Sequence, residues 1–382
     1  MKKHYKEYFP TSEEDYTNIW KDATIVLDTN ILLNLYRYTE DTRDNMFGIM
    51  EFYKDKLWMP YQVGLEFLNN RASTTATITN IPETMKVKLD EGKKQLLNVF
   101  NNKETSRHPY INKKDLENVY DKAMQQVKEY LEKQAEKTPD YNVSDPILDK
   151  VLELYEDKVG ENFTPDELLL LYEEGERRYA DNIPPGYKDE KEKRGKGRCY
   201  LFGDLLIWKQ MIAYSLAENK DIIFVTEDKK EDWWDKNHGL RTPRMELLRE
   251  FRNETKGHNI LMYQQESFLK ASKKKANKNS VKEMKEISKD DERIARETIL
   301  YHSLDDIKHN WGMRPAISNL ELLHLFSTPT PLQTVLEAQK GMAYLGQFDN
   351  LASMYPASSL SAPQTPLTID SISEFLQKLH QK

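Results

Sequence analysis

The sequence has a single cysteine, Cys199, which excludes an internal disulfide framework and fits a reducing, cytoplasmic setting. One cysteine also excludes a thiolate zinc centre, and the eight histidines show no zinc-ligand spacing. No apolar run approaches the roughly 18–20 residues of a membrane span, so none is expected. The first residues, MKKHYKEYFPTSEEDY, lack the apolar stretch of a signal peptide. There is no internal repeat, and no excess of positive charge. The net charge of −7 is not the basic balance that announces a nucleic-acid binder. It does not exclude one, because a chain that gathers carboxylates around a metal carries a local acidic excess.

What is present, in 382 residues that are 38% hydrophobic and 31% charged, is enough apolar material for a sizeable core. The stretch ATIVLDTNILLNLYRY, residues 23–38, begins as a buried-strand run, Ile25-Val26-Leu27. Asp28-Thr29-Asn30 interrupts it, and a helical apolar spacing follows with Thr29 and Asn30 as cap residues. Asp28 therefore falls at the carboxyl end of a strand, the edge where open α/β sheets bind ligands.

Further strands are expected at Leu57-Trp58-Met59, at Asp221 to Thr226 and at Ile260 to Tyr263. Helices are expected at 42–56, over YQVGLEFLNNR (61–71), from Gly203 and from Leu247. Strands alternating with crossover-length helical segments predict a parallel sheet with helices on both faces. Between them, from about 72 to 196, the chain is rich in Lys, Glu, Gln and Leu and predicts a helical insertion. The expected organisation is a core in two parts, 20–72 and 198–270, split by the insertion at 73–197. A charged linker at 271–293, whose run Lys273 to Asp291 is a linker or an exposed helix, and a mainly helical C-terminal extension of unknown role at 294–382 complete it.

Four carboxylates stand out by context. Asp28 ends the first strand, Glu66 interrupts an apolar helix, Asp204 opens a helix, and Asp228 follows the clearest strand. Strand ends and the following helix starts share one edge of a parallel sheet, so all four can converge. Clustered carboxylates raise one another's pKa unless a cation compensates. Hard oxygen donors select Mg²⁺ or Mn²⁺, ions that activate water and offset charge on a phosphodiester. Each acid taken singly has an ordinary explanation: Asp28 or Asp204 as a helix cap, Glu66 in an ion pair, Asp228 in the charged turn EDKKED. Four at one predicted edge are harder to explain that way.

These residues resemble the PIN-domain family of metal-dependent nucleases. The matching motifs are VLDTN (26–30), YQVGLEF (61–67), GDLLIW (203–208) and VTED (225–228). The longer strings RRYADNIPPGYKDEKEK and VTEDKKEDWW resemble a bacterial PIN-like subfamily with a long helical insertion, over roughly 20–270. The resemblance implies a PIN-like α/β/α sandwich with a central parallel sheet, and Mg²⁺- or Mn²⁺-dependent phosphodiester hydrolysis, more often of RNA than DNA. It implies that Asp28, Glu66, Asp204 and Asp228 form the acidic quartet, with Thr29, Asn30 and Thr226 as polar companions. Asn70, Arg71, Asp189 and Lys193 match subfamily motifs, and Arg71, a helical turn beyond Glu66, is a candidate phosphate contact. Its alternative is an ion pair to a site carboxylate.

The basic stretch 188–198 precedes Asp204, so Lys193, Arg194 and Arg198 are candidates to hold a nucleic-acid backbone, against a solvated mobile loop. Trp233 and Trp234 are expected to pack internally rather than stack on a base, and Cys199 to be a structural thiol. A DNA-cutting enzyme and a catalytically idle nucleic-acid-binding regulatory module are the alternatives to a ribonuclease. A role in phage defence, or as a toxin, rests on family analogy, and a homo-oligomer and a regulatory protein partner stay open.

Overall fold

The computed structural model describes residues 1, 5–9, 11–103, 105–237, 240–291 and 293. The chain divides into two units, Met1–Asp291 and Glu292–Lys382; the expected C-terminal helical pieces lie outside the described residues. The first unit is an α/β/α arrangement around a three-stranded parallel sheet.

Helix α1 (Glu13–Asp22) is capped by Ser12, whose hydroxyl accepts from the Asp15 amide. It leads into β1 (Thr24–Leu27), α2 (Thr29–Asn34), α3 (Glu40–Phe52) and α4 (Tyr61–Asn98). The antiparallel partner of α4 is α5 (Lys113–Ala135); the short α6 (Pro146–Leu154) and α7 (Pro165–Ala180) follow. Two four-residue helices, α8 (Glu190–Lys193) and α9 (Arg198–Leu201), precede α10 (Gly203–Glu218). Then come β2 (Ile222–Val225), the hairpin β3 (Trp234–Asn237) and β4 (Leu240–Pro243), α11 (Met245–Glu254), β5 (Ile260–Tyr263) and α12 (Gln265–Ala271).

The sheet order is β1-β2-β5, with β2 in the middle pairing Thr24 to Ile222 on one side and Ile222 to Ile260 on the other. Its central strand reads as an unbroken apolar run because both faces are covered. The strand expected at 57–59 reduces to isolated parallel bridges, Ile25 to Leu57 and Met59 to Val159; Pro60, without an amide donor, ends it.

Helix α10 buries Leu205, Leu206, Ile207, Trp208, Met211 and Ile212. At roughly 1.5–3 kcal/mol for each large apolar side chain, burial rather than intrinsic propensity holds it. It is apolar on nearly every side, as a helix inside a core should be.

Two expected boundaries need correction. The insertion does not begin as a separate body, because α4 runs unbroken from the site into it, and Ile147, Val151 and Leu154 of α6 join the same core as the sheet. Within the segment 271–293 the helix prevails over the linker, since residues 278–291 are helical, but the helix is not simply exposed: Met284 is only 3% exposed. Val281, Met284 and Ile287 recur at helical spacing and pack on the core, while Glu283 accepts from the Thr39 amide and from the hydroxyls of Thr39 and Thr42, each at 2.6 Å.

Candidate metal centre

Asp28 leaves the end of β1 as the N-cap of α2, where its carboxylate accepts from the Thr29 amide at 2.7 Å. Its other oxygen accepts from the Thr226 hydroxyl at 2.6 Å, from the neighbouring strand end. Burial, and then the charges of Asp204 and Glu66, push the Asp28 carboxyl up to about 7. Glu66 projects from α4 and accepts from Gln62 at 2.8 Å and from the Thr29 hydroxyl at 3.3 Å. Burial and the Asp204 charge raise it too.

Asp204 stands at the start of α10, beside this pair. Gly203 makes that approach feasible: a Cβ there would lie 2.3 Å from Glu66 Oε1. Asp228 follows β2, and its amide donates to the Thr226 hydroxyl at 3.0 Å. One threonine thus touches both strand-end acids. Burial first, and then the charge of Asp204, raises the Asp228 carboxyl.

A fifth carboxylate belongs here. Oxygens of Asp189, Asp204 and Asp228 all lie within 4.8 Å of one another. Asp189 comes from the turn after α7, at the far end of the insertion. That turn is fixed by Asp232, a fully buried carboxylate that accepts from the Gly186 amide at 3.0 Å and the Lys188 amide at 3.3 Å. Burial, and then the charges of Asp228 and Asp204, push Asp232 up to about 6. Asp232 and Gln62 escape sequence reasoning, the first inside a charged run and the second as an ordinary helical polar residue. The only signal for Asp232 is its place directly before two tryptophans, which are both buried.

Two ammonium groups enter the cluster. Lys193 lies 2.8 Å from Asp189 and 3.8 Å from Asp204. Lys230 bonds Asp189 and lies 3.4 Å from Asp228. Although burial opposes it, these two cations hold Asp189 below the usual carboxylate range.

The other sequence candidates fall in different places. Asn30 is exposed at the start of α2, and Asn70 is exposed on α4. Arg71 pairs with Asp145, which also accepts from the Tyr36 hydroxyl at 2.8 Å. Its partner is therefore the N-cap of α6 and not a quartet acid. Arg194 pairs with Glu190 at 2.6 Å and Arg198 with Glu176 at 3.1 Å, both at the surface, where such pairs contribute roughly 0–1 kcal/mol. Trp233 packs against Trp208 and Phe224, and Trp234 donates to the Asp228 carbonyl at 2.6 Å. Cys199 donates to Gln62, the residue that holds Glu66.

A family model described as a PIN like domain matches residues 24–247, more than half of the chain. The chain belongs to the PIN-like family. Comparisons with curated proteins and with solved structures returned no match. PIN-like domains are generally nucleases that act on nucleic acids and use divalent metal ions, and this one carries an acidic group suited to such an ion. The donors fit that ion: all are hard carboxylate oxygens, and Asp204 Oδ2 is buried without a hydrogen-bond partner among the described residues. No helix among the described residues is long and apolar enough to cross a membrane.

Proposed function

We propose that the protein is a metal-dependent endoribonuclease, hydrolysing phosphodiester bonds at the edge where Asp28, Glu66, Asp204 and Asp228 meet. The observation that carries this reading is the orphaned, buried Asp204 oxygen in a cluster with Asp189 and Asp228. Mg²⁺ or Mn²⁺ would be held by Asp28, Glu66, Asp204, Asp228 and Asp189. Bound there, such an ion lowers the pKa of water and offsets charge on a departing oxygen.

The chain's own residues supply orientation. Thr226 fixes the Asp28 carboxylate and the Asp228 backbone together, and Gln62 and Thr29 fix Glu66. A substrate backbone would be held by the basic stretch, with Lys193, Arg194 and Arg198 exchanging carboxylate partners for phosphates. The preference for RNA rests on family analogy, as does a role in defence against phage in the cytoplasm.

The test is incubation of the full chain with total RNA, single-stranded DNA and duplex DNA, with Mg²⁺ or Mn²⁺, followed by mapping of cut ends. RNA cleavage that falls at least about 100-fold in Asp28→Asn is the expected result, since losing even an outer partner of a metal ligand costs about 10–100-fold. Undiminished cleavage by the variant overturns the mechanism, and cleavage confined to DNA overturns the substrate.

A further inference from the structure

We propose that Lys193 is the site's built-in counter-ion. Its ammonium group holds Asp189 and Asp204 while no divalent cation is bound, and turns to the substrate's phosphate when one is. This rests on the metal-dependent reading above and adds its regulation.

The carboxylates of Asp189, Asp204 and Asp228 are too close to stay charged together without a cation. In this structure that compensation comes from two ammonium groups, and they are differently placed. Lys230 is tied by its backbone as well, because its amide donates to Asp228 at 2.7 Å. Lys193 has no such tie to the quartet. It is the last residue of α8, a four-residue helix whose outer residues are solvent-exposed. The chain beyond it passes through Gly195 (φ +93°) and Gly197 (φ +100°), with no atom within 4 Å of where a Cβ would stand at either. A short helix ending in two left-handed glycines in open space can shift without breaking packing.

Lys193 also faces Asp204, whose charge acts on both Asp28 and Glu66. An ammonium near Asp204 therefore compensates both parts of the quartet at once. A divalent ion brings twice the charge to the same oxygens and displaces it. The displaced side chain remains tethered at the rim of the site, beside the exposed Arg194 and Arg198, where a phosphate arrives. Entry of metal and capture of substrate are then two ends of one exchange.

The experiment titrates the full chain with Mn²⁺ alone by calorimetry, comparing wild type, Lys193→Gln, Lys193→Arg and Asp204→Asn. Melting curves verify that each variant is folded. Removing the competitor in Lys193→Gln is expected to tighten Mn²⁺ binding by about 5- to 20-fold, within the usual range of coupling between two ligands. Lys193→Arg keeps the charge and is expected to stay near wild type. The second readout is fluorescence anisotropy with a short labelled single-stranded RNA in Ca²⁺, across a salt series. There Lys193→Gln is expected to bind more weakly, with the salt slope reduced by about one. Mn²⁺ affinity unchanged in Lys193→Gln, while Asp204→Asn still abolishes binding, overturns the counter-ion and leaves the metal centre standing. Mn²⁺ binding indifferent to Asp204→Asn overturns the metal centre itself.

Discussion

The acidic site has two halves that solve one electrostatic problem differently. On the side of Asp28 and Glu66, the partners are neutral: the Thr226 and Thr29 hydroxyls, the Thr29 amide and the Gln62 side chain. No cation touches either carboxylate among the bonds described, and burial leaves both pushed up. On the side of Asp189 and Asp228, lysines do the compensating, and Asp189 is held down. In the first half burial raises both carboxyls; in the second it raises Asp228 too, and only Asp189 is held down, by two ammonium groups. Asp204 lies between them. The contrast teaches that the bonded cations are brought to one side of the cluster, and that on the other burial is met by neutral donors alone.

The largest effect that separates the halves is that of pH on the metal-free protein. Asp28 binds its proton up to about pH 7 when folded, but only to about 3.9 when unfolded. Between those values the folded state holds one more proton, so rising pH costs stability at about 1.4 kcal/mol per unit from this group. Above about 7 the loss is complete. Urea unfolding from pH 5 to 8 checks this: Asp28→Asn is expected to flatten the slope, and an unchanged slope breaks the comparison. Added Mn²⁺ is expected to raise the melting temperature more at pH 8 than at pH 5, since the ion needs the carboxylate deprotonated.

The next effect is at the residue that joins the halves. Thr226→Val keeps the shape but removes a buried donor and an acceptor, leaving the Asp28 oxygen and the Asp228 amide without that partner. A loss of about 1–3 kcal/mol is expected by urea unfolding, with recovery in Thr226→Ser. A loss without recovery in the serine variant assigns the effect to packing instead. The smallest effect lies outside the cluster. The Ser288 hydroxyl donates to Glu227 and its carbonyl accepts from Lys229, the two neighbours of Asp228. Ser288→Ala is expected to cost about 0.5–1.5 kcal/mol in thermal melting. It should weaken Mn²⁺ binding through the lysine-bearing half and leave the pH slope of the Asp28 half unchanged.

The four quartet acids, drawn from both halves, were the more legible part of the site in the sequence. Asp28, Glu66, Asp204 and Asp228 each sit at an element end or break an apolar pattern, so periodicity alone singles them out. The parallel sheet was legible for the same reason, since its strands are short apolar runs. The groups around the quartet were legible only in part: Asp189 and Lys193 match subfamily motifs, but nothing local says that they join the acids. The turn that carries Asp189 is held by Asp232, a contact between residues 46 positions apart that no local pattern encodes. Lys193 stands out as a candidate backbone contact and not as a partner of Asp189 and Asp204, and Lys230 looks like any solvated lysine in a charged run. Arg71 illustrates the opposite error: proximity to Glu66 along α4 implied a shared role, but the side chain is engaged by Asp145. A helix over 278–291 is one of two readings of the sequence, but an exposed one; its packing is obscured because charged residues outnumber Val281, Met284 and Ile287, whose spacing marks the buried stripe.

The pairing of β2 with β5 has a practical consequence for handling the protein. The family match stops at residue 247, and β5 begins at Ile260. A fragment trimmed to the match would strip β2 of its neighbour, exposing four apolar residues, Ile222 to Val225, as an open sheet edge. Bare, hydrophobic edges recruit other chains and aggregate. Such a fragment would precipitate with its acids intact, and its inactivity would say nothing about catalysis. The smallest piece worth making therefore extends to residue 291, where the first unit ends and where helix 278–291 has closed over the core.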